Sequence, residues 1–128
     1  MAKYIYFILL FFNANYIVLS NNYQQLYDSN IYNQKINRLS EILGSLQFLE
    51  RLCNSKSAIW KNYLERLIEA QNASDEQKTQ MISYYNHGYQ SFRDNYEYCT
   101  TSATIARQKY LKNIELLSIE LLEKYKTK

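Results

Sequence analysis

Between residues 32 and 53 apolar side chains recur every three or four positions: Tyr32, Ile36, Leu39, Leu43, Leu46, Leu49 and Cys53. With 3.6 residues per turn, that spacing draws one stripe along an α-helix. Ile42 and Leu52 widen it. Ser29 stands where an N-cap belongs, so the pattern predicts a helix from near Asn30 to Asn54-Ser55. A second helix follows, capped by Ser55 or Ser57, with Ile59, Trp60, Tyr63, Leu64, Leu67 and Ile68 on its apolar face and Gln71-Asn72-Ala73 as its exit. Ser74 and Gln77 form a capping box, with Asp75 and Glu76 well placed at the positive end of a helix dipole. In the third helix Met81, Tyr85, Gly88, Phe92, Tyr96 and Cys99 keep the three-four spacing, flanked by Tyr84 and Tyr89. The strict alternation of a strand is missing there. A TTSAT run at 100–104 marks a turn and a new cap. The fourth helix then carries Ala103, Ala106, Tyr110, Ile114, Leu117, Leu121 and Tyr125 on one face.

The chain has no proline and two glycines among 128 residues. Folds built of strands and turns need both residues as punctuation, and long helices need neither. The expectation is an all-α protein: four amphipathic helices, joined by short turns, in an antiparallel four-helix bundle. Gly44 and Gly88 fall inside predicted helices. Gly88 shares the Cys99 face, whereas Gly44 lies about half a turn from Cys53. The two are therefore not expected to face one another, and Gly44 is expected to admit a bulky side chain from helix two or four.

The amino terminus breaks the pattern. Lys3 precedes an unbroken apolar run from Tyr4 to Phe12, Asn13 and Asn15 weaken it, and Val18-Leu19-Ser20 offers a cleavage site. This reads as a secretory signal helix over residues 1–20, too short and too interrupted to stay as a membrane span. Residues 21–28 read as a flexible lead-in, and residues 29–128 as the bundle. Export changes the meaning of the two cysteines, because an oxidising compartment makes and keeps a disulfide. In up-down-up-down order helices one and three run parallel. Cys53 and Cys99 then close the same end of the bundle and can be bonded.

Composition adds exclusions. A net charge of +3, with acids and bases alternating along each segment, does not suit a nucleic-acid surface. His87 is the single histidine. Its neighbours Asn86 and Gly88 give no metal spacing, and no convergent partner makes a triad. The carboxylates read as solvated helix faces. No phosphate loop, nucleophile elbow or zinc signature occurs. No metal, cofactor or catalytic residue is expected. Five of the 14 tyrosines fall between residues 84 and 99, where they read mainly as a core wall with hydroxyls at its rim.

Several of these residues carry a resemblance. LGSLQFLERLC at 43–53, Trp60, Asn86-x-Gly88-Tyr89 with Phe92, Tyr96-x-x-Cys99 and Ala103…Ala106…Tyr110 resemble a family of small exported all-helical proteins of alphaproteobacteria with no assigned function. The resemblance spans roughly residues 38–125. It implies an envelope protein with its cysteines paired, and supplies no catalytic residue. Pattern and resemblance together lead to a periplasmic or secreted non-enzymatic protein acting through contact with an unidentified protein partner. The outer side of helix three around His87, Tyr89 and Arg93 is the expected surface. The alternatives are an effector released by an intracellular bacterium and a bundle that binds a small ligand inside.

Overall fold

With neither proline nor glycine before Gly44, nothing in residues 2–43 stops a helix once it has begun. The computed structural model accordingly opens on one helix of 52 residues, α1 (Ala2–Cys53). It describes residues 2–53 and 57–126, with side chains at 21–53 and 57–123. Three further helices follow: α2 (Ile59–Ala70), α3 (Asp75–Asn95) and α4 (Thr101–Lys126). The all-helical expectation holds. The expected start near Asn30 does not, because residues 21–28 are helical too. Ser29 caps nothing, and its Oγ donates back to the Leu26 carbonyl at 2.9 Å inside the helix. The expected helix end at Asn54-Ser55 and the Ser55 cap lie outside the described residues, as does the side chain of Tyr125. The chain divides into two units, residues 1–33 and 34–128.

In the second unit α1 is the buried element. Every residue from Ile42 to Leu49 is buried, not one stripe of them. A helix buried all round must satisfy its polar side chains locally or through its neighbours. Ser40 Oγ donates to the Ile36 carbonyl at 2.9 Å, and Ser45 Oγ to the Glu41 carbonyl at 3.1 Å. Gln47, 4% exposed, reaches the start of α2. Its Nε2 donates to the Ser57 carbonyl at 2.7 Å, and its Oε1 accepts from the Lys61 amide at 3.0 Å. Lys61 is the third residue of α2, so Gln47 does the work of an N-cap from another helix. Ala58, the residue in the cap position, makes no side-chain bond. Ser57 Oγ accepts from the Ile59 amide at 3.3 Å.

The remaining helix ends follow local chemistry. At the end of α2 the Asn72 amide donates to Glu69 and the Ala73 amide to Ile68, with Asn72 at φ 46°. This is a Schellman closure with asparagine in the left-handed position. The capping box is present, with Gln77 N to Ser74 Oγ at 3.2 Å and Ser74 N to Gln77 Oε1 at 3.0 Å. α4 is capped by Thr100, whose Oγ1 accepts from the Ala103 amide at 3.1 Å. α3 stops earlier than expected. Asn95 turns its side-chain amide onto the Ser91 carbonyl at 2.6 Å, the local bonding by which asparagine competes with a helix. Tyr96 is already extended. Cys99 is therefore not on an α3 stripe but in the connection to α4.

The two glycines mark where α1 and α3 cross. A Cβ on Gly44 would overlap the Tyr85 carbonyl oxygen and lie 3.0 Å from the Tyr89 amide nitrogen. One on Gly88 would overlap the Glu41 carbonyl oxygen and lie 2.9 Å from Ser45 Oγ. The two backbones meet with no side chain between them. The expectation that Gly44 admits a bulky side chain is thus wrong, and the two glycines serve one contact. It misleads to place Gly44 relative to Cys53, because this part of α1 has no outer side.

Contacts set the helix directions. Along α1, Glu41, Gly44 and Cys53 meet Gly88, Tyr85 with Tyr89, and Cys99, so the two segments progress in the same sense. Glu50 pairs with Arg107 at 2.9 Å and Lys35 with Glu120 at 3.0 Å, so α4 runs the opposite way. These are the contacts that an up-down-up-down order requires.

Candidate functional site

Cys53 and Cys99 form a disulfide, with Cα atoms 4.9 Å apart. It ties the last residue of α1 to the segment joining α3 and α4. Beside that segment lies a surface groove of about 490 Å³, lined by Ser91, Phe92, Asn95 and Tyr96 from the end of α3 and by Ser102 from the start of α4. Phe92 stacks on Tyr96, with ring centres 5.8 Å apart, and meets Tyr110 edge-on at 5.1 Å. The hydroxyls of Tyr96 and Ser102 share a hydrogen bond of 3.1 Å.

The three residues expected to form a surface on α3 do not share one face. His87 is 69% exposed, with Nε2 3.8 Å from Glu41 Oε1. Arg93 is 57% exposed and lies beside Asp94 at 3.6 Å. At 100° per residue these two project about 120° apart around the helix. Tyr89 between them is half-buried, its ring edge-on to Phe48 at 5.4 Å, and so belongs to the α1–α3 packing. The helical spacing of 87, 89 and 93 was enough to separate His87 from the other two.

Glu41 is a residue that the sequence did not single out. It accepts from Arg38 at 2.6 Å and faces His87. Burial works to lower the Arg38 pKa, but the bonds and charges of Glu41 and Tyr110 together outweigh it and hold the guanidinium above its ordinary value. Tyr85 beneath the crossing is buried. Burial first, then the Tyr89 phenol, pushes its hydroxyl up to about 12, against a downward pull from Arg51. No group of His, Cys, Asp and Glu among the described residues could hold a metal ion. Among them no helix is long and apolar enough to cross a membrane.

α4 carries a second feature missed in the sequence. The predicted stripe is where it should be, with Ala103 and Leu121 buried and Ala106, Tyr110, Ile114 and Leu117 half-buried. Yet Ile105, Leu116, Ile119 and Leu122 are exposed. The first three lie on the side opposite Ala103 and Leu121. A count of the apolar residues left over once the stripe is assigned would have found them.

Residues 31–125 match the family described as "Protein of unknown function (DUF2385)". No curated protein and no solved structure matches the chain.

Proposed function

The chain belongs to this family, and on that premise we propose that it is an exported, non-enzymatic helical protein that works by contact with another protein. The observation that carries the reading is the bond between Cys53 and Cys99. Oxidising compartments make such bonds, and the thiol pools of the cytosol remove them. The leader-like residues 1–20, with Lys3 before the Tyr4–Phe12 run, support export, as does the resemblance to exported proteins of alphaproteobacteria. Support for contact over catalysis comes from two places. His87 stands in solvent with a single carboxylate near it. The outer face of α4 presents Ile105, Leu116 and Ile119 to water, and contiguous exposed apolar side chains such as Leu116 and Ile119, three residues apart, mark interaction surfaces.

The test of export is fractionation of the native cell followed by thiol alkylation and mass spectrometry. The expected product begins after Ser20, lies outside the inner membrane and takes up no alkylating agent. A full-length cytosolic product with both thiols alkylated would overturn the reading. The contact surface is tested by Leu116→Ser with Ile119→Ser, exposed changes that leave the melting temperature unchanged. They should weaken cross-linking to the partner, while His87→Ala and Arg93→Ala leave it intact. Tyr89 is unsuitable as a probe, because its loss would report on packing against Phe48.

A further inference from the structure

We propose that the groove between the end of α3 and the start of α4 is a binding site for a neutral saccharide. The case rests on what lines it. Ser91, Phe92, Asn95, Tyr96 and Ser102 include two aromatic rings, one amide and three hydroxyls, and no charged side chain. A phosphate or carboxylate would find no counter-charge there, which argues against nucleotides and acidic peptides. Asn95 Nδ2 already donates to the Ser91 carbonyl and the Tyr96 and Ser102 hydroxyls pair with each other. A purely apolar ligand would therefore strip water only from the hydrogen-bonding capacity that remains, the Asn95 side-chain oxygen and the Ser91 hydroxyl among it. A sugar ring matches both halves of the lining. Its C–H face packs on an aromatic ring, and its hydroxyls each give and take a hydrogen bond, as do serine and asparagine.

The geometry agrees. The volume of about 490 Å³ lies within the roughly 300–1,000 Å³ range of small-ligand sites. The groove lies at the surface, so a chain of sugars could enter by its end or its side. Phe92 is held edge-on by Tyr110 and face-on by Tyr96, so the aromatic wall is set before a ligand arrives. The Tyr96–Ser102 hydroxyl pair ties the residue that ends α3 to the first turn of α4. Cys99, bonded to Cys53, lies in the segment that joins those helices. This site is separate from the outer face of α4, and its failure would leave the contact reading untouched.

The experiment uses the oxidised chain from residue 21 to 128, with maltotriose and chitotriose as probes followed by nuclear magnetic resonance. The expected result is saturable shifts of the Ser91, Asn95, Tyr96 and Ser102 amides with at least one probe at millimolar concentration. Asn95→Ala and Tyr96→Leu should each weaken binding about tenfold, while Lys112→Ala, on the exposed side of α4, leaves it unchanged. Two outcomes overturn the proposal: no saturable shift with either sugar at tens of millimolar, or shifts that survive both Asn95→Ala and Tyr96→Leu. Should either variant unfold, the map of shifted amides on the unmodified chain decides. Saturable sites that do not map to the groove would refute it as well.

Discussion

A methyl group added to Gly44 or Gly88 has nowhere to go. Alanine raises helix propensity by about 1 kcal/mol, which by itself would stabilise α1 or α3. Against that, the new carbon overlaps a carbonyl oxygen of the facing helix. Backbone yields less easily than a side chain, so the helices must part, and overpacking of this kind costs about 1–3 kcal/mol or more. Gly44→Ala and Gly88→Ala are therefore expected to lower the urea midpoint despite the better propensity. A rise in either midpoint would show that the helices do not meet there. Tyr85 at the same crossing makes a second test. Its hydroxyl titrates near 12 in the folded chain, above its ordinary value of 10. The neutral phenol is thus favoured by folding, and its contribution is whole below pH 10. It is lost as pH rises from about 10 towards 12, where the unfolded chain ionises first. Melts across that window, compared with Tyr85→Phe, should show a steeper alkaline loss for the unmodified protein.

The starts of α3 and α4, capped by neighbours in sequence, were legible, and the start of α2, capped by another element, was not. Ser74 with Gln77 and the threonines at 100–101 announce α3 and α4 from within a few residues. The start of α2 is different, since its Lys61 amide is satisfied by Gln47, fourteen residues back on a buried helix. Nothing local marks that glutamine as a cap. Gln47→Met keeps the volume and removes both bonds, leaving the Lys61 amide without its cap. That should cost about 1–3 kcal/mol and speed hydrogen exchange at Lys61 and its neighbours more than in α3. If exchange accelerates evenly over all helices, Gln47 acts as general packing and not as a cap. The other end of α2 rests on Asn72 in the left-handed region. Glycine there should hold or raise stability, and alanine should lower it by about 1 kcal/mol in thermal melts. The start of α1 was unreadable for the opposite reason. A polar stretch such as 21–28 looks like a loop, but without a breaker it continues a helix that is already formed.

On the scale of the whole molecule the pairing of Cys53 with Cys99 could be reasoned from helix order alone, because parallel helices bring their matching ends together. The central position of α1 could not, since a stripe seen in sequence says where apolar residues are dense and not that Ser40, Ser45 and Gln47 are buried beside them. On α3 the sequence likewise did not show that Tyr89 is half-buried, edge-on to Phe48. The disulfide closes a separation of 46 residues. Tying an unfolded chain over that length removes entropy equivalent to about 4 kcal/mol, a large part of the roughly 5–15 kcal/mol available to a small domain. The double variant Cys53→Ser with Cys99→Ser removes the tie without leaving a reactive thiol. It is expected to lose about 4 kcal/mol in guanidinium unfolding. Its denaturant slope should also be steeper, because an unfolded chain without the tie exposes more surface. A loss with no change in slope would place the effect in the native helices, where Cys53 ends α1, and a loss near zero would mean that the packing around α1 already holds both ends without the bond.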